Sequence, residues 1–351
     1  MLGVRPIRWL LATALARVGL AVVPTTAQAH GSPGGHHRPT GERVCSRSSD
    51  PLQASCTDWV RTDLPPLASV PPNQNPPGLS PLGLRRAYDL FGQHGRGPRA
   101  TASGCLRVIN QRGGTTLPTT TAPDLFAGVG QAVAQGAKFA SNSWVVPEAS
   151  FEGTFDFHCN HPGVTFTFSS GDTGGQTQYP AASPFVTAVG GTTLTRAHNR
   201  RGFVESAWIG TGCCCSFFEP KPAIQHDAIC PNSRTIADVS AVADFNTGPA
   251  VYSTSPTPSG ATGRLVRGGT SVATPLVAGM YARAGNPAPG TFPHPYPYAR
   301  PQDFFDITTG STGGFSAMPG YDAPTGIGTP DGVAGLRDPG HAWHGTAGYG
   351  S

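Results

Sequence analysis

Apolar residues recur along the chain in short runs separated by turn-forming residues. Leu106–Asn110, Phe139–Trp144, Val164–Ser169, Phe185–Val189 and Ala237–Val242 are each apolar and rich in β-branched or aromatic side chains, which predicts buried strands. Asp124–Ala137 has helical periodicity, with Leu125, Val129, Ala132 and Val133 on one face. Pro275–Ala284 reads as an apolar helix with Pro275 just inside its start, and Pro81–Leu90 as a short helix. Continuous apolar strands alternating with helices predict an α/β fold, a parallel sheet flanked by helices. Chemistry in such sheets gathers at the C-terminal ends of strands. Asp172 falls at one such end, after Val164–Ser169, and Ser271 at the loop-to-helix junction before Pro275.

The first 29 residues differ from the rest. Arg5 and Arg8 precede an apolar run, Trp9–Val23, and Ala27-Gln28-Ala29 has the small-residue spacing of a cleavage site. Residues 1–29 are therefore expected to be a signal peptide of a secreted protein. The run is shorter than the roughly 20 apolar residues a membrane span requires, and no later segment qualifies. Residues 30–78, rich in Pro, Ser and Gly, read as an N-terminal extension, a tail or linker with one disulfide loop; 79–337 as the main domain; 338–351 as a flexible tail.

With 47 Gly, 36 Pro and 13% charged residues in 351, the composition suits a loop-rich exported protein. The net charge of +4 forms no basic stripe, so neither nucleic acid nor membrane is expected as a partner, and the chain is expected to be a monomer. Eight cysteines fit an oxidising compartment. Cys45 and Cys56 form a local pair, Cys230 pairs with one of Cys213, Cys214 or Cys215, and Cys105 and Cys159 are left over. Three adjacent cysteines cannot easily face one ion, so a thiolate zinc site is disfavoured.

Gly268-Gly269-Thr270-Ser271-Val272-Ala273-Thr274-Pro275 delivers a serine hydroxyl to a helix N-terminus, where main-chain N–H groups favour negative charge. That is the setting of a peptidase nucleophile. The stretches Ser141–Trp144 (SNSW), Ser169–Gly174 (SSGDTG), Tyr179–Leu194, Ile236–Tyr252, Gly268–Pro275 and Gly320–Gly332 together resemble the sedolisin, or serine-carboxyl peptidase, family of secreted actinobacterial type. The resemblance implies a subtilisin-like fold and a serine endopeptidase acting on polypeptides. It matches Ser271 to the nucleophile and Asp172 to the carboxyl group that stabilises the oxyanion, a donor only when protonated. It also implies calcium, held by the carboxylates of Asp306 and Asp322 and the carbonyls of Ile307, Met318 and Gly320, an oxygen donor set suited to that ion.

Two blocks of the family pattern are missing, so an edge strand and a helix of the fold are expected to be absent. The family's base is a glutamate with an aspartate one helical turn later, on one helix face. The matching interval here, Thr115–Pro123, contains no acidic residue. A second block is lost near Leu90–Phe91, and Arg99 stands where the resemblance would place a partner for Cys105. Glu152 and Asp156 are the Glu–Asp pair with i, i+4 spacing, but they follow SNSW, and Gly153 and Thr154 between them are poor helix formers. Asp124 at a helix start reads as an N-cap. A Ser-His-Asp triad is rejected, because the one His-Gly-Thr run, His344–Thr346, lies after Ser271, and His30, His94, His158 and His161 occupy loops. Without a base, loss of a triad member costs about 10⁴–10⁶ in rate. The alternative expectation is therefore a non-catalytic, peptide-binding pseudopeptidase.

Overall fold

A computed structural model describes residues 40–44, 47–56, 58–63, 78–90, 121–253 and 256–340. The signal-peptide segment, the strand expected at Leu106–Asn110, Cys45, Cys105 and the tail beyond 340 lie outside these residues. The elements run β1 (Gly41–Arg43), β2 (Ser55–Cys56), β3 (Trp59–Arg61), α1 (Pro81–Ala87), α2 (Ala122–Ala134), β4 (Phe139–Asn142), β5 (Trp144–Pro147), β6 (Thr165–Ser169), β7 (Gln178–Tyr179), β8 (Thr187–Arg196), β9 (Phe203–Ala207), β10 (Cys214–Pro220), β11 (Ser233–Ile236), β12 (Val239–Val242), β13 (Ala250–Ser253), β14 (Gly263–Gly268) and α3 (Thr270–Ala284).

The centre is a parallel sheet in the order β12-β8-β6-β4, with β9 antiparallel on the far half of β8. Every residue of β6 and β12 is buried. Alternation along the strands sends side chains to two faces. Phe166, Phe168 and Ala188 pack under α2 with Phe126 and Val129, while Val189, Val239 and Ala241 pack under α3 with Val277, Met280 and Tyr281. This is the expected parallel sheet covered by helices, and among the described residues β4 pairs only with β6, leaving it at the edge. The sheet is braced by Arg234, fully buried and paired with Asp238 at 2.6 Å. The Asp238 Oδ2 atom also accepts from the Ala188 amide of β8, fixing the start of β12 against its neighbour.

Several boundaries differ from those read in the sequence. Phe139–Trp144 is two strands, broken at Ser143. α2 starts at Ala122 because the Thr121 hydroxyl accepts from the Asp124 amide; Asp124 is a first-turn residue, not the cap. α3 begins at Thr270 rather than at Pro275, which places Pro275 inside the helix. The N-terminal extension is no free linker over residues 40–63: β1, β3, β14 and β13 form one antiparallel sheet, and β2 adds to β5. Of the open alternatives for Cys230, the structure selects Cys215; Cys213 and Cys214 are joined to each other, and Cys159 is free and buried, as expected. Cys56 is disulfide-bonded.

Candidate active site

β14 runs into α3 through Gly268-Gly269. A Cβ on Gly268 would lie 2.5 Å from the Phe245 main chain, and Gly269, the N-cap, has φ +95°, so both positions need glycine. The Gly269 amide donates to the Ala243 carbonyl at 2.6 Å, which anchors the turn to the end of β12. Ser271 then sits in the first turn of α3, half-buried.

Its main-chain carbonyl would ordinarily accept from residue 275, but Pro275 has no N–H. The Ser143 hydroxyl supplies the missing donor at 3.1 Å, and the Ser271 hydroxyl donates in return to the Ser143 carbonyl at 3.4 Å. The break between β4 and β5 is thus the point where the SNSW stretch grips the helix of Ser271. Nothing in the spacing of the sequence announced this exchange.

Asp172 follows the C-terminal end of β6 and is 4% exposed. Its Oδ1 accepts from both the amide and the hydroxyl of Thr270, each at 2.8 Å, so the residue beside Ser271 holds the carboxyl group. The Thr270 hydroxyl in turn accepts from the Gly171 amide at 3.2 Å. Oδ2 is buried and has no hydrogen-bond partner among the described residues. Burial pushes the carboxyl up to about 7, against the opposing hydrogen bonds of Thr270 and the charge of Arg43; the charge of Asp58 adds to the rise. A buried carboxyl with one oxygen saturated and the other bare carries its proton on the bare oxygen, ready to donate.

Asp172 lines a cleft of about 730 Å³ together with Val145, Pro147, Glu148, Gln178 and Phe217, and the N-terminal segment closes one side with Arg43 and Arg47. Glu152 and Asp156 do not reach Ser271 through any hydrogen bond among the described residues. Glu152, on a short 3₁₀ turn, accepts from the Ala149 amide, and burial together with the charges of Glu148 and Glu219 pushes it up to about 9. Asp156 accepts from the Tyr179 hydroxyl at 3.0 Å. Asp124 is bound to Thr121. His158 stacks on Phe126 at 5.0 Å between ring centroids.

Of the five residues expected to hold calcium, the two aspartates are each hydrogen-bonded to the main chain of another, on one C-terminal loop. Asp306 accepts from the Gly320 amide at 2.9 Å and Asp322 from the Met318 amide at 3.0 Å. Asp322 is 1% exposed, and burial with the nearby Asp306 charge pushes it up to about 6. No donor among the described residues hydrogen-bonds the carbonyls of Ile307, Met318 or Gly320. No group of three or more His, Cys, Asp or Glu side chains that could hold a metal ion occurs among the described residues, so the donor set rests on two carboxylates and main-chain oxygens.

A sequence profile of the subtilase family matches residues 106–296, more than half of the chain. The chain belongs to the subtilase family. Its relatives are of the sedolisin type. Sedolisin of Pseudomonas sp. (strain 101) is 31% identical over 233 residues, 54% of this chain and 38% of that protein. Kumamolisin of Bacillus sp. (strain MN-32) is 32% identical over 203 residues, 49% of this chain and 35% of that protein. The alignments therefore span well under half the length of these relatives. A solved Pseudomonas sedolisin, described as a serine-carboxyl proteinase complexed with two molecules of pseudo-iodotyrostatin, superposes with a TM-score of 0.52 at 29% identity, covering 60% of this chain and 67% of that one. The subtilisin-like architecture of this sedolisin-type chain agrees with the parallel sheet and with the placement of Ser271 and Asp172 at its C-terminal edge.

Proposed function

We propose that this chain is an exported serine-type endopeptidase that hydrolyses polypeptides in acid through Ser271. The observation that carries the reading is the bare, buried Oδ2 of Asp172 next to the Thr270–Ser271 step. In the forward step the Ser271 oxygen attacks a peptide carbonyl carbon, and the carbonyl oxygen takes the developing negative charge. The protonated Asp172 carboxyl donates to that oxygen, and as pH rises through about 7 the donor is lost, which confines activity to acid. The C–N bond then breaks and the amine leaves with a proton, giving an acyl-enzyme; water attacks the acyl carbon, the Ser271 ester C–O bond breaks, and the carboxylic acid leaves as the Ser271 hydroxyl regains its proton.

The Ser271 proton must leave in the first step. The Ser271 hydroxyl donates to the Ser143 carbonyl, and Thr115–Pro123, where the resemblance places the base, contains no acidic residue. That inventory favours the second reading, a non-catalytic scaffold that binds peptide in the same cleft. Calcium fits the Asp306–Asp322 loop, where it would neutralise two mutually repelling carboxylates and brace the loop that hydrogen-bonds to the Asp238 main chain through Ile327.

The test is hydrolysis of a denatured protein from pH 3 to 8 with calcium, comparing the wild type with Ser271→Ala. Cleavage present in the wild type and lost in the variant supports the peptidase. No cleavage by folded wild-type protein, with peptide still bound, supports the scaffold.

A further inference from the structure

The N-terminal segment reaches the candidate oxyanion group in a way that the peptidase pattern did not suggest. Arg43 is the last residue of β1 and pairs across the ladder with Trp59 of β3. Trp59 in turn pairs with Gly268, two residues before Thr270. On the shared face, the Arg43 guanidinium lies 4.9 Å over the Trp59 ring, and Trp59 stacks on Phe245 at 5.4 Å and 15°. Phe245 also packs directly against the glycines at 41 and 268. The guanidinium is therefore the outer layer of a fixed stack of rings, its orientation set before any ligand arrives. From there one amino group donates to the Asp172 carbonyl at 2.6 Å, and Arg47 donates to the same oxygen at 3.3 Å.

Two arginines on one main-chain carbonyl are a costly arrangement unless the position of that carbonyl matters, because the Arg43 guanidinium is drawn partly from water and the exposed Arg47 repels it. The charged groups acting on the Asp172 carboxyl from its surroundings are Arg43 on β1 and Asp58 before β3, and Asp58 is itself paired with Arg267 of β14 at 2.7 Å. Thr270 of α3 contributes uncharged donors.

We propose that Arg43, assisted by Arg47, is a positioning residue for Asp172, and that the described residues of this N-terminal segment form a working wall of the site rather than a detachable leader. The inference rests on the reading of Asp172 as the oxyanion donor. Arg43 fixes the main chain of Asp172, so that its carboxyl stays seated against Thr270, and its charge restrains the carboxyl from protonating at still higher pH.

The experiment reads Asp172 directly and does not need turnover. The full chain is labelled with ¹³C-carboxyl aspartate, the Asp172 signal is assigned by its loss in Asp172→Asn, and its midpoint is followed by NMR from pH 4 to 9. Arg43→Gln should raise the midpoint by roughly half a unit to one unit, within the range that a neighbouring charge imposes. Arg43→Lys should restore it, because the charge returns. Arg47→Gln should shift it in the same direction by less. An unchanged midpoint in folded Arg43→Gln overturns the proposal; if that variant does not fold, an unchanged midpoint in Arg47→Gln does so. A wild type without peptidase activity that still shows these shifts would remove the proposed function and leave the Arg43–Asp172 coupling standing.

Discussion

Replacing Asp172 by asparagine tests the protonation argument through stability. The side chain keeps its shape, and its amide oxygen can still accept both hydrogen bonds from Thr270. In the wild type the folded carboxyl titrates at about 7 against an ordinary 3.8. The folded chain therefore binds that proton more tightly than the unfolded chain does. Its stabilising effect is complete below about pH 4 and disappears as pH climbs to 7 and above. At ~1.36 kcal/mol per pH unit the span corresponds to ~4 kcal/mol, to order of magnitude. Urea unfolding of both proteins at pH 4, 5, 6, 7 and 8 gives the difference in stability at each pH. The other buried acids, Asp58, Glu152, Glu219 and Asp322, titrate in both proteins and cancel. Asp172→Asn should gain on the wild type by several kcal/mol between pH 4 and 8. A difference constant within ~1 kcal/mol across that range would mean that Asp172 ionises at its ordinary value, and the acid-donor mechanism would fail with it.

Ser143→Ala removes the donor that replaces the absent Pro275 amide; it should lower urea stability by ~1–2 kcal/mol, with a smaller loss for Ser143→Thr. Asp238→Asn leaves Arg234 buried without its counter-charge and should cost ~3–5 kcal/mol, read as a fall in Tm. Chelator should lower the Tm of the wild type and leave Asp322→Asn unmoved, since an ion at 100 times its Kd adds ~2.7 kcal/mol to the folded state. If chelator acts equally on both proteins, the ion is held elsewhere.

The parallel sheet, both helices and the junction carrying Ser271 were legible because their signals are local: β-branched runs, one helical stripe, a glycine turn. Asp172 at the end of β6 was legible for the same reason. The helix start was misread because Pro275 ordinarily marks a first turn, whereas here Gly269 caps the helix and the proline lies within it. The extension was misread as a linker because its composition is that of one. Its strands are two or three residues long and owe their order to Trp59 and Val60 pairing with β14 and to Arg43 lying over Trp59, which no periodicity in so short a run can announce. Arg43 and Arg47 lie 129 and 125 residues from the carbonyl they hold. That kind of contact costs loop closure and leaves no mark in the local pattern.

The misplaced proline carries more information than the correctly placed serine. Within a helix, Pro275 should weaken α3 by removing one hydrogen bond, and the bond removed is the one to Ser271 itself. The carbonyl so released is taken by Ser143, and the Ser271 hydroxyl returns the contact. SNSW and GGTSVATP, 128 residues apart at these two serines, are therefore two halves of one device that sets where Ser271 stands relative to β5, the strand between β2 and β7. A scaffold that only bound peptide would not need this coupling to Ser271. This exchange, together with the bare oxygen of Asp172, is the physical ground on which the proposed peptidase reading is set against the empty interval at Thr115–Pro123.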